Sequence, residues 1–142
     1  MITYEQLICF APGDVASLNV LLAQLSGRGR KVDEARLGLI AMFFVIFVGR
    51  DEYHGIKAMA TLSFVHSLSG STSWLEDVVV DKSLRGQHVG EAIVQRVIEY
   101  ARNERHLERI ELTSKPERMA ANRLYQKLGF KLRNSNYYRM DL

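Results

Sequence analysis

The run Arg85-Gly86-Gln87-His88-Val89-Gly90 follows a valine-rich stretch, Val78-Val79-Val80, and leads into an amphipathic one. A strand that passes through a short polar link into a turn and then a helix leaves unpaired backbone N–H groups at the helix start. These point outward and carry roughly half a positive charge, which makes an anion site. Gly86 permits backbone conformations closed to other residues, and Arg85 adds a fixed cation. Gly90 falls in the first helical turn, where glycine costs about 1 kcal/mol relative to alanine; close approach of a bulky group to the backbone would account for it. The run has no Gly-Lys-Ser/Thr ending and lacks the three glycines of the dinucleotide fingerprint, so neither nucleotide loop fits. By itself it reads equally as a plain loop-to-helix junction.

The elements that must position this turn can be read from the apolar spacing. Leu7 to Phe10 forms a short first strand, and Pro12-Gly13-Asp14 breaks it and offers Asp14 as a helix N-cap. Val15, Leu18, Leu21, Leu22 and Leu25 recur at helical spacing, so a helix runs to about Ser26. Ser26 to Arg30 is a loop, and Asp33 to Leu39 a second, shorter helix. Phe43 to Val48 and Lys57 to Phe64 form a hairpin about the turn Arg50-Asp51-Glu52. Ser67 to Ser73 is a Ser/Gly-rich loop before the strand Trp74 to Val80. Val89, Ile93, Val97 and Ala101 stripe a long helix from about Val89 to Glu104. Ile110 to Thr113 is a strand, Pro116 to Leu128 a helix closed by Gly129, and Asn136 to Met140 alternates like a last strand. Strand, helix, strand from Trp74 to Thr113 makes a crossover with two parallel strands. The expected fold is a mixed, mainly antiparallel α/β sheet with helices on both faces, in one domain over residues 1–142.

Composition excludes several classes. The chain has 142 residues, 47% hydrophobic and 25% charged, as in ordinary globular proteins. Its most apolar run, Leu37 to Val48, is too short to span a bilayer, and no signal peptide pattern opens the chain. The lone Cys9 excludes an intrachain disulfide framework and Cys-rich zinc sites, and fits a reducing cytoplasm. Net charge is +3 and the pI near 9.1. That excess suits a phosphorylated small molecule or a solvated surface; the cations are dispersed, with one short cluster at Arg28-Gly29-Arg30-Lys31, and lack the aromatic interleaving of RNA-binding surfaces. Neither nucleic acid nor membrane is expected as a partner. His54, His66 and His106 read as surface residues, and no ligand spacing supports a metal. Glu76 and Asp77 are adjacent on a strand and so point to opposite faces. Ser114 to Glu117 has capping-box spacing for the helix that follows.

Two blocks together resemble the GNAT superfamily of acyl-CoA-dependent N-acetyltransferases. The signature Arg/Gln-x-x-Gly-x-Gly/Ala after a valine-rich strand is matched at Arg85 and Gly90, with His88 in place of the first signature glycine. Downstream, Ala121-Asn122-Arg123-Leu124-Tyr125-Gln126-Lys127-Leu128-Gly129-Phe130 resembles the family's Asn-x-x-Tyr-x-x-x-Gly-Phe block. The likeness covers Trp74 to the end and is weaker over the first 70 residues. Leu75 to Val80 is also similar to the corresponding strand of small glucosamine-phosphate N-acetyltransferases.

The resemblance implies acetyl-CoA as donor substrate, with no metal. It implies that the CoA pyrophosphate sits on the amides of Gln87, His88, Val89, Gly90 and Glu91, beside Arg85 and Gly86. The pantetheine arm would pair with the backbone of the strand Val78-Val79-Val80, chiefly Val78 and Val80, and Asn122 would bond it from the other side. Tyr125 would lie beside the sulfur and protonate the departing thiolate. Glu76 would serve as base for the acceptor amine, or else is a strand-end acid bonded to a neighbour. A strand amide near Val78 would hold the oxyanion, and Cys9 lies too far off for a covalent intermediate. The acceptor would be a primary amine of a small molecule or protein, bound by the first two helices, the Gly27 to Val32 loop and the Ser67 to Ser73 loop. A non-catalytic acyl-CoA sensor is the alternative. The family often dimerises; Phe43 to Val48 and the last strand are each interface or core. At His88, a backbone requiring positive φ would be strained, whereas a helical one would not.

Overall fold

The computed structural model describes residues 1–26 and 29–142. Its sheet has five strands in sequential order, β1 (Thr3–Gln6), β2 (Val45–Arg50), β3 (Ile56–Ser67), β4 (Gly70–Val80) and β5 (Ile110–Glu111). The first four pair antiparallel and β5 lies parallel to β4, so the sheet is mixed and mainly antiparallel. Helices α1 (Asp14–Leu25) and α2 (Glu34–Phe43) cover one face, where Leu18, Leu21 and Leu37 bury against Ile46, Val48, Met59 and Val79. Helix α3 (Val89–Glu99) covers the other, its stripe Val89, Ile93, Val94 and Val97 meeting Phe47, Ala58, Ala60 and Leu62. Helix α4 (Met119–Lys127) packs beside it through Leu124 and Tyr125. Each fully buried aliphatic side chain stabilises by about 1.5–3 kcal/mol.

Several boundaries differ from expectation, each for a tertiary reason. The first strand is Thr3–Gln6, ahead of Leu7 to Phe10, because Glu5 pairs with Val48 in register and its carboxylate meets Arg50 Nε at 2.6 Å. The ladder ends as Leu7 N–H donates to Ile46 at 2.8 Å, after which Ile8 and Cys9 are exposed. Gly13, with φ 92°, holds the N-cap position of α1 instead of Asp14. Asp14 begins the helix, and its carboxylate accepts from the Ala11 N–H and the Arg50 guanidinium. Helix α2 runs on to Phe43, so β2 begins at Val45. All six residues of β2 are buried between β1 and β3, which makes it core.

The Ser67 to Ser73 segment is a tight hairpin in place of a loop. Ser67 pairs with Gly70 and the ladder continues through Ser73, while Ser67 Oγ donates to the Gly70 carbonyl at 3.0 Å. After Glu99 the long helix loosens into a π turn, Tyr100–Glu104, before β5. Helix α4 starts at Met119, and the capping box does not form: Ser114 Oγ is buried without a partner among the described residues. Asn136 to Met140 forms no strand; Tyr137, Tyr138 and Met140 are exposed there.

Candidate functional site

Strand β4 has eleven residues, yet β5 pairs with it only at Ser73 and Trp74. That junction is pinned by Ser73 Oγ donating to the Arg109 carbonyl at 2.6 Å and Thr72 Oγ1 donating to Glu111 at 3.2 Å. Beyond it, no strand flanks Leu75 to Val80 on the β5 side among the described residues. The cause lies in a bulge. Thr61 pairs with Glu76 but Met59 with Val79, so Asp77 and Val78 together oppose Ala60, and Asp77 takes φ 51°. Such an insertion bends the strand and increases its twist. The result is a sheet opening with free main-chain groups along one edge, the arrangement an extended ligand needs to add as a strand. Val78 and Val80 turn their side chains toward α3 and α4, and Val79 toward α1.

The opening ends on the turn. Asp81 caps a short 3-10 turn, Lys82–Leu84, accepting from Ser83 N–H at 2.9 Å and Ser83 Oγ at 2.6 Å. These bonds, chiefly the Ser83 hydroxyl, hold its pKa at about 2. Arg85 Nε donates to the Val80 carbonyl at 3.3 Å, and the Gln87 amide to Leu84 at 3.4 Å. Gly86 has φ 78° and His88 φ 61°, with His88 in the N-cap position of α3. The strained alternative at His88 is therefore the one adopted. Ala92 N–H closes the first helical turn on the His88 carbonyl, leaving the amides of Val89, Gly90 and Glu91 without intrahelical acceptors. A Cβ on Gly90 would meet Val80 Cγ2 at 3.5 Å and Leu124 Cδ2 at 3.6 Å, ordinary contacts; alanine fits, and β4, α3 and α4 converge there.

Helix α4 lies across from the strand edge. Asn122 Nδ2 donates to the carbonyls of Lys115 at 3.0 Å and Pro116 at 3.3 Å, fixing the loop after β5. Its Oδ1 takes no protein donor among the described residues. Tyr125 is half-buried, edge-on to Phe130 at 5.8 Å between centroids. Burial raises the phenol above its usual pKa, with Arg118 opposing weakly, so the hydroxyl keeps its proton at neutral pH.

Strict alternation fails at Glu76 and Asp77. Thr61 alternates with Met59, which faces α1, and Asp77 takes a hydrogen bond from Thr61 while Glu76 pairs with it. The bulge thus brings both carboxylates to the side of α1 and α2, correcting the expectation of opposite faces. Both residues are exposed, yet partial desolvation by the surrounding protein raises their pKa values. For Glu76 the Asp77 charge adds to that effect; for Asp77 the Thr61 bond opposes it.

Several contacts escaped sequence reading because they join distant positions. Gln24 on α1 donates to Asp81 Oδ2 at 3.1 Å and accepts from Lys82 N–H at 2.8 Å. Arg118 donates to the Leu25 carbonyl at 3.2 Å, tying α1 to the start of α4. Glu91 bonds Lys127 at 2.7 Å and His88 at 3.1 Å. Lys127, first, and His88 lower the Glu91 carboxyl pKa. Of the basic cluster, Arg30 and Lys31 are exposed, and Gly27 and Arg28 lie outside the described residues. Asn19 organises the chain beside them through paired bonds with Val32 at 2.8 and 2.9 Å. His54, His66 and His106 are exposed, as expected. No helix among the described residues is long and apolar enough to cross a membrane.

A profile of the Acetyltransferase (GNAT) family matches residues 28–130. No curated protein matches the sequence significantly. Among solved structures, an acetyltransferase from Trypanosoma brucei superposes with TM-score 0.79 at 24% identity, covering 100% of both chains. Glucosamine-6-phosphate N-acetyltransferase from Arabidopsis thaliana gives 0.79 at 22% identity, over 99% of this chain and 98% of that one. AAC(6')-Iy in complex with the bisubstrate analog CoA-S-monomethyl-acetylneamine gives 0.77 at 19%, over 100% and 99%. At these identities the structural likeness speaks for the fold.

Proposed function

Because the chain belongs to the GNAT acetyltransferase family, we propose that it transfers an acetyl group from acetyl-CoA directly to a primary amine, as one N-acetyltransferase domain. The observation that carries this reading is the unpaired edge of β4 from Leu75 to Val80, which ends on the free amides of Val89, Gly90 and Glu91. An extended, amide-bearing arm pairs with such an edge while its pyrophosphate takes the helix terminus. The Asn122 Oδ1 is left to accept from the arm, and Ser114 Oγ, orphaned in a buried position near the same loop, has a hydrogen bond still to make.

In this reading Glu76, with Asp77 beside it, takes the proton of the acceptor amine; raised carboxylate pKa values bring both closer to that task. The amine attacks the thioester carbon, the amide near Val78 steadies the oxyanion, and the C–S bond breaks. Tyr125 gives its proton to the departing thiolate. Cys9 is exposed in the loop after β1 and takes no part. The acceptor would enter between α1, α2 and the β3–β4 hairpin. The names of the similar structures, an amino-sugar phosphate acetyltransferase and an acetylneamine complex, support an amine on a small carbohydrate-like molecule. A reducing cytoplasm suits the single cysteine. With β2 consumed as core, a homodimer would use the exposed stretch around Tyr137, Tyr138 and Met140.

The test follows release of free CoA over a panel of amino sugars, aminoglycosides, polyamines, amino acids and peptides. Release that needs both acetyl-CoA and one of these amines supports the reading. Tight acetyl-CoA binding without turnover on any of them would make the protein a binder instead.

A further inference from the structure

Glu91 Oε2 receives two donors from different elements, Lys127 Nζ at 2.7 Å and His88 Nδ1 at 3.1 Å. The three side chains line a shallow, open groove of about 390 Å³ between the start of α3 and the end of α4, lined further by Ala92, Gln95 and Leu128. The groove adjoins the positive end of α3. The carboxylate oxygen of Glu91 therefore sits where a lysine ammonium, an imidazole nitrogen and a helix terminus converge, the position an anionic oxygen of a ligand would take. Lys127 and His88 are both largely exposed, their side chains 59% and 81% accessible, so an incoming ligand can reach them.

We propose that Glu91 is an internal substitute for a phosphate. The free amides of Val89, Gly90 and Glu91 serve the pyrophosphate. Lys127 and His88 lie beyond them in the groove, and the phosphate left for them is the ribose 3′-phosphate of CoA. On binding, that phosphate takes over both donors and the Glu91 side chain turns away. The pair then distinguishes CoA from its 3′-dephospho form, and Glu91 sets the affinity by competing for the same donors. This rests on the reading of the site as a CoA site. The opposing account is a surface ion pair bracing α3 to α4, with little energetic consequence.

Calorimetry of the whole protein with CoA and with 3′-dephospho-CoA, at low salt, tests the idea. The wild-type protein is expected to bind CoA about fivefold more tightly, the scale of one exposed charge-assisted contact. Lys127→Gln should weaken CoA alone and bring the ratio of the two dissociation constants near one. Glu91→Gln, which keeps the fold of the helix but removes the competitor, should tighten CoA and leave the dephospho form little changed. If Lys127→Gln leaves the ratio at its wild-type value, or weakens both ligands equally, the inference is overturned. Failure of the wild-type protein to bind either ligand would instead overturn the assignment of the CoA site itself. Melting temperatures of each variant check that the helices remain packed.

Discussion

Gln24, at the end of α1, donates to Asp81 Oδ2 at 3.1 Å and accepts from Lys82 N–H at 2.8 Å, so one amide joins the α1 face to the last step before the turn. Asp81 also caps the 3-10 turn through Ser83, and this network keeps its pKa at about 2. Asp81→Ala is expected to lower stability by about 1 kcal/mol, the usual scale of a lost cap. It should also weaken acetyl-CoA binding severalfold by loosening the turn. The depressed pKa means the carboxylate's contribution is present above its ordinary value of 3.8 and is lost as pH falls toward 2. Thermal melts from pH 5 to pH 2 should therefore show the variant converging on the wild-type protein.

A buried ion pair governs stability on the α1 side. Asp14 and Arg50 share two bonds, Nη1–Oδ1 at 2.7 Å and Nη2–Oδ2 at 2.9 Å, with both residues buried and the Arg50 Nη1 also donating to the His54 carbonyl. Arg50→Met strands the Asp14 charge and should cost about 3 kcal/mol. Denaturant unfolding measures this directly. The double variant Arg50→Met with Asp14→Leu should recover part of the loss, because no uncompensated charge remains buried; Glu5, the other partner of Arg50, is solvent-exposed.

The two carboxylates on the bulge predict a pH profile. Burial, then the Asp77 charge, raises the Glu76 pKa. The acidic limb of kcat/KM should then lie above the ordinary glutamate range. Asp77→Asn removes the like charge and should move that limb to lower pH, whereas Glu76→Gln should reduce kcat across the whole range by about a hundredfold. An Asp77→Asn profile identical to wild type would separate the pair functionally.

His88 at φ 61° is a side chain in a conformation natural to glycine. His88→Gly should raise stability by about 1 kcal/mol through relief of that strain. A differential melt detects it as an increase of a few degrees.

What could be read from sequence was what local chemistry decides. The stripe Val89, Ile93, Val94 and Val97 fixes α3 and its buried face, and the turn before it follows from the glycine at position 86 with a strand upstream. The crossover that makes β5 parallel to β4 was likewise legible from strand–helix–strand order. Features set by distant partners were not. Polar Thr3–Gln6 becomes a strand because Glu5 has Arg50, 45 positions away, to meet. Alternation placed Glu76 and Asp77 on opposite faces, since nothing local signals that Asp77 takes a left-handed conformation. Alternation also suggested a strand at Asn136 to Met140, but a strand needs a neighbour, and none pairs with that stretch here. The spacing of Ser114 and Glu117 suggested a cap, whereas Asn122 holds that loop instead.

The central claim is transfer of acetyl from acetyl-CoA to an amine with Tyr125 as the acid, and one comparison tests it most directly. Steady-state release of CoA is measured for wild type and Tyr125→Phe with the best amine of the panel. The phenol is half-buried and lies edge-on to Phe130, so loss of its hydroxyl leaves the packing of the ring in place. The prediction is amine-dependent turnover by the wild-type protein and a fall in kcat of about a hundredfold or more in the variant. KM for acetyl-CoA and the melting temperature should change little. Undiminished kcat in Tyr125→Phe would contradict the role of the tyrosine, and absence of amine-dependent CoA release by the wild-type protein would contradict the transfer itself.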